Sequence, residues 1–161
     1  MIRLRGAEIA DLDALLAIDR ECFRRGIAYS RAELRYYLSL PRSFSLVGED
    51  EKPKQILGFA IAETYLEKGL PIGHIVTIDV RVSARRQGLG RTLMDSLLAH
   101  LAAAGAKEVR LEVAVENTLA QAFYREFGFS QTGRIRGYYM GKLDALVMEK
   151  KFDPHVSGQP R

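Results

Sequence analysis

From Val109 onward, apolar residues fall at every second position: Val109, Leu111, Val113 and Val115, separated by Arg110, Glu112 and Ala114. Side chains two apart share one face of a strand, so this stretch predicts a strand with one apolar face. Upstream the period changes. Leu93, Met94, Leu97, Leu98 and Leu101 form a helical stripe, which predicts a helix over Thr92–Ala104 with Gly105 just past its end. Leu12, Leu15, Leu16, Ile18 and Cys22 predict another over Ile9–Cys22. Ser30 with Glu33 three residues on reads as a capping box opening a second helix, which Pro41 stops. Strands are predicted at Ile2–Gly6, Ser43–Gly48, Ile56–Leu66, Ile72–Val82, Phe129–Gly137 and Asp144–Phe152. A charged turn from Glu49 to Lys54 makes a hairpin of the second and third. Asn117 is placed to cap a short helix, Thr118–Phe127, closed by Gly128.

The resulting order is β-α-α-β-β-β-α-β-α-β-β. Three consecutive strands before the central helix do not suit a doubly wound parallel sheet. They suit an α+β, three-layer fold: a mixed, mostly antiparallel sheet with helices on both faces. Residues 1–152 read as one domain, and the polar stretch from Asp153 to Arg161 as a fraying tail.

Composition narrows the class. The chain has 161 residues, 47% of them apolar, and no apolar run of the roughly 20 residues a membrane span needs. The basic start, Met1-Ile2-Arg3-Leu4-Arg5, is not followed by a signal-peptide stretch, so a cytoplasmic protein with no membrane association is expected. Cys22 is the single cysteine, which excludes an intramolecular disulfide and argues against a cysteine-built metal site. Net charge is +4. Arg81, Arg85, Arg86 and Arg91 cluster around one glycine turn instead of forming a basic block, which favours a polyphosphate ligand over nucleic acid.

That turn is Arg85-Arg86-Gln87-Gly88-Leu89-Gly90-Arg91, between a strand and a helix. Backbone N–H groups of such a turn and the positive end of the helix dipole converge, as a pyrophosphate requires. No Walker lysine follows, and Leu93 stands where a dinucleotide fingerprint needs its third glycine.

The pattern Arg/Gln-x-x-Gly-x-Gly, with Leu111-Glu112-Val113, Asn117 and Phe123-Tyr124-Arg125-Glu126-Phe127-Gly128-Phe129 at these spacings, resembles the Gcn5-related N-acetyltransferase (GNAT) superfamily over nearly the whole chain. Arg136-Gly137-Tyr138-Tyr139 and Asp144-Ala145-Leu146-Val147-Met148 bring it closest to the ribosomal-protein alanine N-acetyltransferase group. The resemblance implies acetyl-CoA as cosubstrate, with no metal. Its pyrophosphate would lie on Arg85, Arg86, Gln87, Gly88, Leu89, Gly90 and Arg91, and its pantetheine arm on Asn117 and the backbone of Ile78, Asp79 and Val80. The Val80 N–H would polarise the thioester carbonyl. Glu112 would be the general base, directly or through a water, and Tyr124 the acid that protonates the leaving thiolate. Tyr138 and Tyr139 would line the acceptor site, with Phe23–Tyr29, ending in Tyr29, as the opposite wall. That stretch lacks the proline usual in the family, so no residue preference at the substrate terminus carries over. Transfer would be direct, in a ternary complex.

The acceptor expected is a protein N-terminus, with a small amine such as a polyamine as the alternative. A CoA-binding sensor without catalysis is the reading from another class, and Glu112 and Tyr124 together argue against it. A monomer or homodimer is expected. His74, His100 and His155 share no metal-ligand spacing and are read as a strand residue, a helix-surface residue and part of the tail. Cys22 is read as a core helix residue.

Overall fold

Phe59, Ala60, Ile61 and Ala62 are all fully buried, although neighbouring residues in a strand point to opposite faces. A strand can bury both faces only if layers cover the sheet on each side. The computed structural model, which describes residues 1–153, has that arrangement. Its strands are β1 (Ile2–Gly6), β2 (Ser43–Glu51), β3 (Lys54–Glu67), β4 (Leu70–Val80), β5 (Glu108–Ala114), β6 (Ser130–Tyr139) and β7 (Leu143–Lys151). The helices are α1 (Leu12–Cys22), α2 (Arg31–Ser39), α3 (Leu89–Ala103) and α4 (Thr118–Glu126). The strands form one sheet in the order β1-β2-β3-β4-β5-β7-β6. Every pairing is antiparallel except β4 with β5.

Two cores follow from the alternation. Leu93, Met94, Leu97 and Leu101 of α3 pack on one face with Ala60, Ala62, Ile75, Val109, Leu111 and Val113. Each such side chain contributes about 1.5–3 kcal/mol by leaving water. On the other face Leu15, Leu16 and Ile18 of α1 and Leu34 of α2 pack with Val47, Phe59 and Ile61. The capping box is present: the Glu33 N–H donates to Ser30 Oγ, and the Ser30 N–H to Glu33 Oε1, both at 3.1 Å.

Several boundaries differ from the sequence reading, each for a local reason. The first turn of the first helix, Ile9–Asp11, is 3-10, with the Glu8 N–H donating to Asp11 Oδ2 at 2.7 Å. The expected Glu49–Lys54 turn shrinks to Lys52-Pro53, because Glu49 is a buried strand residue whose carboxylate holds Arg5 at 2.7 Å. β4 stops at Val80, and a 3-10 turn, Val82–Ala84, follows, where the Val82 N–H donates to Glu21 Oε1. α3 starts at Leu89, so Leu89, Gly90 and Arg91 are its first turn. Tyr138 and Tyr139 end β6 instead of standing between strands, since the ladder with β7 resumes at Tyr139–Leu143. The expected tail, His155 included, lies beyond Asp153 and so outside the described residues. Among the described residues no helix is long and apolar enough to cross a membrane.

Candidate active site

The one parallel pairing makes the site. β4 and β5 are in register only at Ile72–Glu108, Gly73–Val109 and His74–Arg110. Beyond those three pairs the strands diverge, and β5 turns to β7 for its partner through Ala114. β4 meanwhile stays on β3 to Val80, with a bulge that inserts Val76. Backbone alternation then fixes what faces the gap. The Arg81 N–H donates to Leu57 O, so on the antiparallel ladder the amides of Asp79 and Thr77 also aim at β3. Those of Ile78 and Val80 aim into the gap. Of the three residues expected to pair with a pantetheine arm, Asp79 is therefore turned away, and its side chain is buried against α1's side of the sheet.

A cavity of about 390 Å³ occupies the gap. It is lined from one side of the sheet by Cys22, Phe23, Ile27 and Tyr29, and from the other by Gly90, Asn117, Phe123 and Tyr124. Ile78, Val80, Arg85, Glu112, Tyr138 and Tyr139 also line it. Ten residues singled out in the sequence for two different ligands thus meet at one opening through the sheet.

At the α3 end, Gly88 is the N-cap with φ +85°, and Arg86 has φ +63°. The N–H groups of Leu89, Gly90 and Arg91 precede the first intrahelical bond, Thr92 N–H to Gly88 O at 3.0 Å, and are the free donors of a helix start. A methyl at Gly90 would stand 3.8 Å from Phe123 and Val80, an ordinary contact on the cavity wall. Leu89 itself is buried under Gly48 and Gly58. The arginines divide. Arg86 is exposed with Gln87. Arg85 folds back, its Nε donating to Val80 O at 3.1 Å. Arg91 pairs with Glu126 at 2.6 Å and lies over the Phe127 ring. Asn117 caps α4, its Oδ1 accepting from the Ala120 N–H at 3.1 Å, while lining the cavity.

At the other end, Glu112 projects from the β5 face opposite α3, because Leu111 and Val113 take the buried one. Its Oε2 lies 2.7 Å from His74 Nε2, and His74 Nδ1 lies 3.3 Å from Glu63 Oε1. Burial by itself lowers the His74 pKa, but the hydrogen bond and charge of Glu112, with those of Glu63, raise it on balance. His74 is a strand residue, as read from the sequence, and its contact with Glu112 is what the sequence reading missed. No local spacing joins His74 to Glu112. The signal is the parallel register, which sets His74 level with Arg110, two residues from Glu112.

Tyr124 packs edge-on to Phe123 and Phe129, and burial pushes its phenol well above the ordinary value, so it keeps its proton. Tyr138, edge-on to Tyr139, is pushed up to about 12 by burial and by the charge of Glu112. The Tyr29 hydroxyl donates to Val76 O at 3.1 Å and its N–H to Asp19 Oδ2 at 2.6 Å, which pins the wall it forms. Cys22, the last residue of α1, is half-buried: it packs against the core on that face and also lines the cavity. Its thiol donates to Val80 O at 3.4 Å, and burial raises its pKa. His100 is on the helix surface, stacked on Phe44 at 3.7 Å.

The arrangement can hold an extended thioester against β4, its phosphates at the α3 terminus, with a proton acceptor on one side and a proton donor on the other. Known proteins share the fold. The chain is 30% identical over 119 residues to N-alpha-acetyltransferase 30 of Schizosaccharomyces pombe, covering 73% of this chain and 78% of that one. The crystal structure of the ribosomal-protein-S18-alanine N-acetyltransferase from Escherichia coli superposes with a TM-score of 0.80 at 26% identity, covering 94% of each chain. Arabidopsis thaliana NAA60 in complex with acetyl-CoA has the same fold, with a TM-score of 0.81 at 18% identity over 98% of this chain and 100% of that one. The family model described as Acetyltransferase (GNAT) family matches residues 12–129, from the start of α1 to the residue before β6, and with the splayed strands, glycine turn and cavity it leads to one conclusion: this chain is an N-acetyltransferase of the GNAT family.

Proposed function

We propose that the chain transfers the acetyl group of acetyl-CoA to the α-amine of a protein N-terminus, by direct attack in a ternary complex. The observation that carries the reading is the placement of Glu112, hydrogen-bonded to His74, and of Tyr124 on one cavity that passes between β4 and β5. The residues present fit acetyl-CoA. Ile78 and Val80 aim their N–H groups into the gap, Gly88 and Gly90 keep side chains off the turn, and the α3 terminus supplies N–H donors for a pyrophosphate. Arg86 and Gln87 stand exposed beside that terminus.

In the proposed reaction Glu112 accepts the ammonium proton of the acceptor, directly or through a water, and His74 holds the carboxylate in place. The Val80 N–H donates to the thioester oxygen as negative charge develops there. The amine nitrogen bonds to the acetyl carbon, the carbon–sulfur bond breaks, Tyr124 gives its proton to the departing sulfur, and the second proton shed by the acylated nitrogen restores the phenol through solvent. Tyr29, Tyr138 and Tyr139 form the acceptor walls. The relatives named for protein N-terminal substrates support that class of acceptor.

The test is acetylation of an N-terminal peptide library beside a panel of polyamines, read by mass spectrometry, with Glu112→Gln as control. Peptide α-amines should be acetylated, and the variant's kcat should fall by about 10²–10⁴, the range of general-base catalysis, with acetyl-CoA affinity retained. Acetylation confined to polyamines would reject the proposed acceptor, and an unchanged kcat would reject Glu112 as base.

A further inference from the structure

Behind the acceptor wall lie two carboxyl groups for which the reaction has no use. Asp19 of α1 and Asp79 of β4 are 0% and 1% exposed. Two of their four oxygens have a hydrogen-bond donor. Asp19 Oδ2 accepts the Tyr29 N–H at 2.6 Å, and Asp79 Oδ1 accepts the Thr77 hydroxyl. Asp19 Oδ1 and Asp79 Oδ2 are buried with no hydrogen-bond donor. An orphaned buried acceptor is costly, and two on neighbouring carboxyls are more so, unless one proton lies between them. Each carboxyl perturbs the other, and burial raises both pKa values, that of Asp79 well above the ordinary range.

We propose that Asp19 and Asp79 share a single proton, and that this pair positions Tyr29, and with it the acceptor wall, so that loss of the proton weakens acceptor binding. The proposal rests on the functional reading above in its second half only. Tyr29 is the link. Its N–H is held by Asp19 and its hydroxyl by Val76 O, so the ring stands between α1 and the bulge of β4. With the proton present, the two orphaned oxygens satisfy each other. When hydroxide removes it, two buried carboxylates face each other, and one of them, Asp19, carries the Tyr29 anchor.

The charged and titratable neighbours do not cancel that effect. Glu33 of α2 adds negative charge toward Asp19, and Arg85 only partly offsets the charge on Asp79. Cys22 and Tyr124, which also sense Asp79, are held neutral by burial. The sign follows from the raised values. The pair's contribution is complete below the ordinary carboxyl range and is lost as pH rises through the raised one.

Asp79→Asn is the test, because the amide keeps an acceptor for Thr77 and supplies Asp19 with a permanent donor. Thermal melts need no substrate. At about pH 5 the variant and wild type should melt together, and at about pH 9 the variant should melt roughly 3 °C or more higher. A difference that is the same at both pH values overturns the shared proton. In acetylation assays the ratio of acceptor KM, wild type over variant, cancels the titration of the amine itself. It should be near one at about pH 6.5 and rise about fivefold or more at about pH 9, with the KM for acetyl-CoA unmoved. A flat ratio beside a pH-dependent melt overturns the positioning role. If no amine is acetylated, the functional reading fails separately, and exchange protection of the Tyr29 amide, lost in wild type but kept in the variant at high pH, takes the place of KM.

Discussion

Replacing His74 by Leu removes the group that separates Glu112 from Glu63. The contact at stake is the 2.7 Å hydrogen bond from His74 Nε2 to Glu112 Oε2, between side chains 18% and 24% exposed, with a longer one at 3.3 Å to Glu63. A hydrogen bond to a charged group contributes about 1.5–3 kcal/mol. For a domain of this size, roughly 2–4 °C of Tm accompany each kcal/mol, so the loss amounts to about 3–12 °C. The pH dependence has a definite sign. The His74 pKa is raised on balance by Glu112 and Glu63, so the stability it contributes is complete below its ordinary value of about 6.5 and fades as pH rises through the raised one. Differential scanning fluorimetry of wild type and His74→Leu should therefore show the larger gap at about pH 5.5, narrowing toward about pH 9. The same variant should displace the acid limb of the kcat/KM profile, since that limb reports the His74–Glu112 pair. A gap that does not vary with pH would refute the ion-paired assignment, and an unmoved acid limb would refute its part in proton transfer.

Tyr124→Phe should lower the single-turnover rate by about 10²–10⁴ at neutral pH while the protein melts as wild type, because burial keeps that phenol protonated and its ring packing survives the change. Equal single-turnover rates would remove it as the acid. The two glycines of the turn should behave differently in paired melts, run beside cofactor titrations. Gly88→Ala forces an alanine to φ +85° and should cost about 1–2 kcal/mol, together with acetyl-CoA affinity, whereas Gly90→Ala meets only ordinary contacts from 3.8 Å and should weaken acetyl-CoA binding while leaving the melt unchanged or higher. Equal losses of stability at both would mean that the left-handed cap is not what Gly88 supplies.

Local physics is what the sequence carries. The Leu93–Leu101 stripe, the Val109–Val115 alternation, the Ser30–Glu33 box and the Asn117 cap each depend on residues within one turn or one strand, and each stands in the structure. The glycine turn was legible for the same reason, since a left-handed Gly88 before a helix is a property of a few adjacent residues. Even Glu112 could be assigned a face from its neighbours alone. Boundaries failed where a distant partner intervened. Glu49 reads as part of a charged turn until Arg5, far away in sequence, takes it into a strand. His74 reads as an idle strand residue until the parallel register brings it to Glu112. Asp79 passes for a cofactor contact until the ladder with β3 turns it toward Asp19. Sequence patterning determined which elements exist, which face of each is apolar and where a left-handed glycine opens α3, because those depend on short-range sterics and periodicity. Only the tertiary structure decided where β4 and β5 part, and hence which titratable groups meet, because strand register joins residues that no spacing along the chain connects.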